Sequence, residues 1–398
     1  MAFNFKLFFR LTYYAFFKSK GTHGRLTGKR LRALALWYLV FPFYNLITWI
    51  CLLLDDILFP QYRNQVVKDP TFIIGNFRSG STLLQRLLAQ DEEIFTSMKT
   101  WEIYVAPSLV QRKFLFWGIG IDRKVLKGAI LKFVHRFDER WLKPVPIHSI
   151  GLFEAEEDEG VLLYNWTSSF LMFIYPFPDS LPPYWYFDTQ VSERDQRLSM
   201  RFYRGIVQRH VYFHGGKRYL AKNPISCVKI KALREYFPDA KFIYLVRNPV
   251  DMLASKTSFF SFAWHYFNQP MERYPFKDVL LDFTRHCYTY PLRRLSELPT
   301  SEYMILDYDD LVAELESSTK KIYNHFGIPM SGRFSSILDE AVEQSASYIS
   351  KHHYSLAEMG YTPEQVYNLY KDVFERFNFE LDGKAMVAQV SKHEAVID

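Results

Sequence analysis

Residues 71–90 constrain this chain more than any other stretch. Thr71-Phe-Ile-Ile-Gly-Asn-Phe-Arg-Ser-Gly-Ser-Thr-Leu-Leu84 reads as one strand–loop–helix unit. The apolar run Phe72, Ile73, Ile74 ends at Gly75, and a polar loop runs from Asn76 to Gly80. Ser81 and Thr82 then open a helix whose apolar face is Leu83, Leu84, Leu87 and Leu88. Free backbone N–H groups and the helix dipole both point at such a loop, so it predicts an anion site. The spacing Gly75-x-x-x-x-Gly80-Ser81-Thr82 is that of a nucleotide P-loop, except that Ser81 stands where the lysine reaching the terminal phosphates belongs. The positive charge has moved to Arg78, which fits ATP hydrolysis poorly and a ligand with a single substituted 5′-phosphate better.

A second motif points to another anion. Lys241-Phe-Ile-Tyr-Leu-Val-Arg247 reads as a buried parallel strand ending in a charge, and Asn248-Pro249-Val-Asp251 opens a helix with Pro249 in its first turn. Ser255 follows Arg247 by eight residues, about two helical turns on. An arginine at a strand's carboxyl end with a hydroxyl nearby grips a second, separate phosphate, and ligands of open parallel sheets sit at those ends.

These residues resemble a known family. Phe72-Ile-Ile-Gly-Asn-Phe-Arg-Ser-Gly-Ser-Thr-Leu-Leu is similar to the 5′-phosphosulfate loop of sulfotransferases, and Leu245-Val-Arg-Asn-Pro-Val-Asp-Met-Leu-Ala-Ser255 to their 3′-phosphate motif. Thr100-Trp101-Glu102, Glu156-Glu157-Asp158, Tyr219-Leu-Ala-Lys222-Asn-Pro224, Leu306-Asp-Tyr-Asp-Asp-Leu311 and Lys351-His-His-Tyr-Ser-Leu356 extend the likeness to the bacterial-type and tyrosylprotein-sulfotransferase-like branch, over residues 68–380. Phe77 replaces the usual loop proline and Ser81 the usual threonine. The resemblance implies 3′-phosphoadenosine-5′-phosphosulfate as donor. It also implies a P-loop-like three-layer α/β fold with a central parallel sheet.

Sulfonyl transfer makes demands like those of phosphoryl transfer: in-line attack, positive charge at the leaving oxygens and a base for the acceptor hydroxyl. Arg78 and Lys222 are the candidates for that charge. Ser79, Gly80, Ser81 and Thr82 are candidates for the 5′ end of the donor and Arg247 and Ser255 for its 3′-phosphate, with Lys351 and Tyr354 as further donor contacts. In the resembled branch a glutamate soon after the second strand takes the acceptor's proton, which points to Glu102. A carboxylate in a partly dry cleft has its pKa raised, as a base requires. The acidic run Glu154–Glu159 is the rival, with Glu156 or Glu157 orienting Lys222 or the acceptor; acids at a helix start are favoured by the dipole in any case. His352 and His353 lie in the late donor segment. No metal-ligand spacing is visible, so side chains are expected to supply the charge. Two other functions fit less well: a nucleotide kinase, which lacks the P-loop lysine and has Arg247 where a magnesium-binding acid belongs, and a non-catalytic membrane scaffold with a degenerate nucleotide fold.

Composition sets the outer bounds. The 398 residues are 48% hydrophobic and 18% aromatic, too apolar for extensive disorder. A net charge of +6 suits anionic ligands or membrane surfaces, and no basic stripe with interleaved aromatics after residue 70 predicts nucleic-acid binding. Cys51, Cys227 and Cys287 show no metal spacing and no disulfide framework, which leaves at most one bridge, Cys227 to Cys287. The sequon Asn165-Trp166-Thr167 falls in an expected helix and reads as chance.

Residues 1–60 differ from the rest and read as a basic, apolar membrane-associated segment ahead of a sulfotransferase domain over 65–398. No acid precedes Asp55, and the 22 residues Ala33–Leu54 carry no charge, enough to cross a core of about 30 Å. Phe3–Phe17 has the pattern of an amphipathic helix on anionic lipid. Pro42, Asn45 and Thr48 argue against a simple span, and a hairpin capping the enzyme is the alternative. The late start of the apolar stretch argues against a cleavable signal. The expected location is membrane-associated, at the cytoplasmic face in a prokaryote or the Golgi lumen in a eukaryote. The aromatic content and the apolar N-terminus suggest a lipid, sterol-like, glycan or other small acceptor.

The expected strands are Thr71–Ile74, Tyr219–Lys222, Lys241–Val246 and Tyr303–Leu306. The expected helices are Ser81–Gln90, Phe153–Phe173, Ile225–Phe237, Val250–Phe259 and Asp310–Phe326. Tyr175–Pro183 reads as a surface loop by the acceptor site, and residues 112–150 as part of an acceptor lid.

Overall fold

The computed structural model describes residues 3–143, 151–177, 184–345 and 356–381. Its centre is a parallel sheet of β1 (Thr71–Gly75), β2 (Phe95–Thr96), β3 (Arg218–Lys222), β4 (Lys241–Val246) and β5 (Tyr303–Asp307), in the order β2-β3-β1-β4-β5. Thr71 pairs with Leu220 on one side and Lys241 on the other, so β1 is central. Helices cover both faces, which is why β1 and β4 are near-continuous apolar runs rather than alternating ones. All four expected strands form. The two-residue β2 was not anticipated, being too short to carry a periodicity.

The helices run in chain order as α1 (Phe5–Phe17), α2 (Gly28–Leu58), α3 (Ser81–Leu88), α4 (Thr100–Tyr104), α5 (Leu109–Val125) and α6 (Ala129–Phe137). They continue as α7 (Leu171–Ile174), α8 (Phe187–Gln190), α9 (Glu193–Phe213), α10 (Ile230–Tyr236) and α11 (Pro249–Phe267). The last are α12 (Lys277–Leu295), α13 (Tyr308–Ala313), α14 (Leu315–His325), α15 (Gly332–Ser345) and α16 (Pro363–Phe377).

The helix expected over Phe153–Phe173 does not form. A 3-10 turn over Asp158–Leu163 and the short α7 stand in its place. Side chains compete with the helical ladder here: Ser168 Oγ accepts the Phe170 N–H, and Glu159 accepts the Ser169 N–H at 2.8 Å. Trp166 sits at φ +60 and Asn165 is fully buried, so its sequon is enclosed. The stretch expected as Ile225–Phe237 splits into a 3-10 turn (Pro224–Val228) and α10, and Asp310–Phe326 splits at Glu314 into α13 and α14. Tyr175 and Phe177 lie in the core rather than in a surface loop; residues 178–183 of that stretch are outside the described residues.

The N-terminal helices pack on the domain and share its core. Leu7, Leu11 and Ala15 bury one stripe of α1. The buried face of α2 is Arg30, Leu34, Asn45, Thr48, Leu52 and Asp55. Arg30 donates to the Ile174 carbonyl, Trp49 to that of Tyr164, and Asp55 forms an ion pair with Arg209 at 2.8 Å. By length and hydropathy α2 is able to cross a membrane.

Candidate active site

The loop after β1 is built from unusual backbone. Arg78 is at φ +69 and Gly80 at φ +85, directly before α3. A Cβ on Gly80 would lie 2.3 Å from the Tyr308 ring, so glycine is required both by conformation and by space. Behind the loop, Lys256 donates to Asn76 Oδ1 and to Thr284 Oγ1 (2.8 Å) and lies over the Phe283 ring at 4.3 Å; burial draws its pKa down to about 8. Of the expected α3 face, Leu84, Leu87 and Leu88 are buried, but Leu83 is 42% exposed and lines the adjoining cleft.

That cleft has a volume of about 530 Å³. Arg78, Gly80, Ser81, Thr82, Lys222 and Arg247 all line it, so both guanidinium-bearing residues and the strand-end lysine share one cavity. The two arginines lie closer together than two separate phosphate pockets would require. Arg78 Nε donates to Ser255 Oγ at 2.9 Å, and Arg247 Nη1 donates to the Arg78 carbonyl at 3.0 Å. Arg78 therefore reaches across to the hydroxyl assigned to the other anion. Arg247 also lies over the Tyr308 ring at 4.3 Å, and Tyr288 donates to its carbonyl at 2.5 Å. Tyr308, which covers Gly80 and stacks on Arg247 together, was missed by sequence reasoning. Its signal was its place directly after a strand in Leu306-Asp-Tyr-Asp-Asp-Leu311. Lys351 and Tyr354, with His352 and His353, lie outside the described residues.

Two buried polar atoms by the loop have no hydrogen-bond partner among the described residues: Ser79 Oγ and Arg247 Nε. Orphaned donors beside a basic cleft fit an anionic ligand. The cleft therefore offers basic and hydroxyl groups of the kind that an anion requires, with Arg78, Ser81, Thr82, Lys222 and Arg247 on its lining.

In the same cleft, Lys222 ends β3 and donates to Glu157 Oε1 at 2.6 Å; both residues are on its lining. The rest of the acidic run is distributed among different partners. Glu154 pairs with Arg86 at 2.8 Å, and Glu159 pairs with Lys229 at 2.6 Å and accepts from Asn223. Asp158 accepts from Tyr203 and from Tyr219, and burial pushes its pKa up to about 6 despite those bonds. The run thus meets partners on α3, α9 and β3 and at Lys229, and Asp158 and Glu159 open the 3-10 turn rather than an α-helix.

Glu102 sits elsewhere. It is fully buried and does not line the cleft. Its Oε1 is 3.0 Å from Arg112 Nη1, 2.8 Å from His214 Nε2 and 3.4 Å from His210 Nδ1, and its Oε2 accepts the Lys99 N–H. Burial alone would raise its pKa, but the imidazoles and the Arg112 guanidinium outweigh burial and hold the carboxyl far below the usual range. That is the reverse of the raised pKa expected of a base here. Burial lowers His210 to about 4, so its ring is neutral near pH 7 and Arg112 carries the compensating charge. Glu102, His210 and His214 have ligand atoms close enough to hold a cation. The Arg112 guanidinium already supplies positive charge there, 3.3 Å from His210 Nδ1.

Residues 70–332 match the sulfotransferase family model, and the chain belongs to that family. It is 29% identical over 274 residues to omega-hydroxy-beta-dihydromenaquinone-9 sulfotransferase Stf3 of Mycobacterium bovis and of Mycobacterium tuberculosis. The match spans 66% of this chain and 64% of each relative's length. Among solved structures, sulfotransferase STF9 from Mycobacterium avium superposes with TM-score 0.65 at 18% identity, covering 84% of this chain and 83% of that one. STF1 from Mycobacterium tuberculosis superposes with TM-score 0.58 at 18% identity, covering 93% and 98%. These two likenesses establish the fold, a parallel sheet wrapped by helices.

Proposed function

We propose that this chain transfers a sulfonyl group from 3′-phosphoadenosine-5′-phosphosulfate to the hydroxyl of a lipid. The observation that carries the reading is the Lys222–Glu157 pair, 2.6 Å apart, on the wall of the same cleft as the anion loop. Ser79, Gly80, Ser81 and Thr82 hold the donor's 5′ end through backbone N–H and hydroxyl groups. Arg78, Arg247 and Ser255 hold its 3′-phosphate and, through the Arg78 fork, brace the 5′ end as well. Glu157 takes the proton of the acceptor hydroxyl as its oxygen bonds to sulfur. The bond from sulfur to the 5′-phosphate oxygen breaks, its electron pair stays with the bisphosphate, and the Lys222 ammonium donates to that oxygen. Glu102, held ionised beneath a guanidinium, supports α4 and α9 rather than serving as base.

The lipid acceptor rests on the named acceptor class of the curated relatives and on the apolar N-terminal helices, which also support membrane attachment through residues 1–60. Those relatives are bacterial, which favours the cytoplasmic face, where the donor is made. Family membership argues against the kinase and scaffold readings. Calorimetry with 3′-phosphoadenosine-5′-phosphate against ATP tests the donor; tighter binding of ATP would sink it. Transfer of labelled sulfate from the donor into a lipid and glycan extract tests the acceptor, and a labelled glycan with unlabelled lipid would replace it.

A further inference from the structure

We propose that α5 and α6 join α1 and α2 in a single face that lies in the plane of an anionic bilayer, and that α2 does not cross it. The inference rests on the membrane attachment proposed above and is independent of the sulfonyl chemistry.

The first observation is where α2 is tied down. Arg30 and Asp55 are both buried against the domain, 25 residues apart, which is about 37 Å along a helix. A hydrocarbon core is about 30 Å thick. A transverse α2 would therefore drag Ile174, Tyr164 and Arg209, with the α/β domain behind them, into the lipid. Lying flat, the same helix keeps the domain in water. Its outer face suits this: Leu39, Phe43, Leu46, Ile50, Leu53 and Ile57 recur at alternating steps of four and three and are all exposed.

The second observation is a further exposed apolar surface, on α5 and α6, beside α2. Asp55 accepts the N–H groups of Leu109 and Val110, so α5 begins against the end of α2. Phe114, Trp117 and Val125 on α5 and Ile130, Phe133 and Phe137 on α6 are exposed, and α6 buries none of its residues. A patch of this kind on a folded chain marks a binding surface. Of the stretch 112–150 expected as part of an acceptor lid, residues 112–143 are not on the lining of the cleft, and residues 144–150 lie outside the described residues.

Charge selects the occupant. Arg123, Lys124, Lys127, Lys132, Arg136 and Arg140 punctuate the apolar stretch. Its acids are spent internally: Asp122 accepts from Ile130 and Leu131, Asp138 from Leu152, and Glu139 pairs with Lys143. Aromatic side chains flanked by basic ones that form no ion pair among the described residues match an interface of anionic headgroups over acyl chains.

The test mixes full-length protein with phosphatidylcholine vesicles with and without phosphatidylglycerol and measures flotation. Trp117→Glu with Phe133→Glu should lower the bound fraction ~10-fold or more, with binding of 3′-phosphoadenosine-5′-phosphate unchanged. Arg123→Glu with Arg136→Glu should abolish the preference for phosphatidylglycerol. An N-terminal tag on protein added from outside should stay open to protease. Unchanged flotation of the aromatic variant, a protease-protected tag, or a drop in oligomer mass without change in flotation would each overturn the proposal. Wild-type protein that floats but does not take up the donor analogue would sustain this face while overturning the sulfotransferase reading.

Discussion

Two carboxylates flank the β2–β3 side of the sheet, and their surroundings make them different chemical groups. Glu157 faces one ammonium, Lys222, at the wall of an open cleft. Glu102 is enclosed by Arg112, His210 and His214 and is not on that cleft's lining. An acid able to gain and lose a proton beside a substrate needs an environment that leaves both states accessible. Glu102 is locked in one state, and its removal would leave a buried guanidinium uncompensated. The comparison is why the proposed mechanism gives the base's role to Glu157, which the fold turns toward the cleft, and not to the motif glutamate Glu102.

The largest expected effect tests Glu157. Glu157→Gln should lower kcat by ~100- to 10,000-fold with donor-analogue affinity little changed, in steady-state assays with calorimetry alongside. A variant of near-normal kcat would return the role to another group. Glu102→Gln should instead cost roughly 3–5 kcal/mol of stability by leaving Arg112 unpaired, measured by denaturant unfolding, while the folded fraction turns over within a few-fold of the parent. A stable but slow Glu102→Gln would break the comparison outright.

Acid sharpens it further. His210 has a folded pKa of about 4, below its unfolded value near 6.5, so the unfolded chain binds the proton first. Stability from its neutral ring is full above pH 6.5 and declines as pH falls toward 4, by about 3 kcal/mol at most. Glu102, also depressed, adds a loss below the ordinary glutamate range. A melting temperature flat from pH 7 to pH 4 would contradict this account of the cluster. The smallest effect falls on the donor side: Arg247→Ala should weaken binding of 3′-phosphoadenosine-5′-phosphate ~10- to 100-fold, read by calorimetry. Unchanged affinity would remove Arg247 from the donor site.

The parts of the molecule legible in the chain are those made by neighbours in sequence. The loop Gly75–Thr82 is backbone geometry set by two glycines between a strand and a helix, and β1 and β4 announce themselves as apolar runs. Arg78, Lys222 and Arg247 could be placed at one sheet edge because parallel strands put their carboxyl ends together. The segment 153–173 defeated the same reasoning. Its acids have the density of a helix start, yet Glu154, Glu157 and Glu159 each answer to a cation from a distant part of the chain.

The amino-acid order alone determined the sheet, the phosphate-type loop, the family and an apolar N-terminus, since each depends on periodicity or on residues within a turn of one another. Only the tertiary structure decided which glutamate meets Lys222, that Arg78 reaches Ser255, that Tyr308 closes over Gly80, and that α2 is fastened along its length. Those outcomes come from residues 65 to 228 positions apart that the fold brings into contact. In a low-dielectric interior those contacts are decided by geometry, which a linear pattern does not encode.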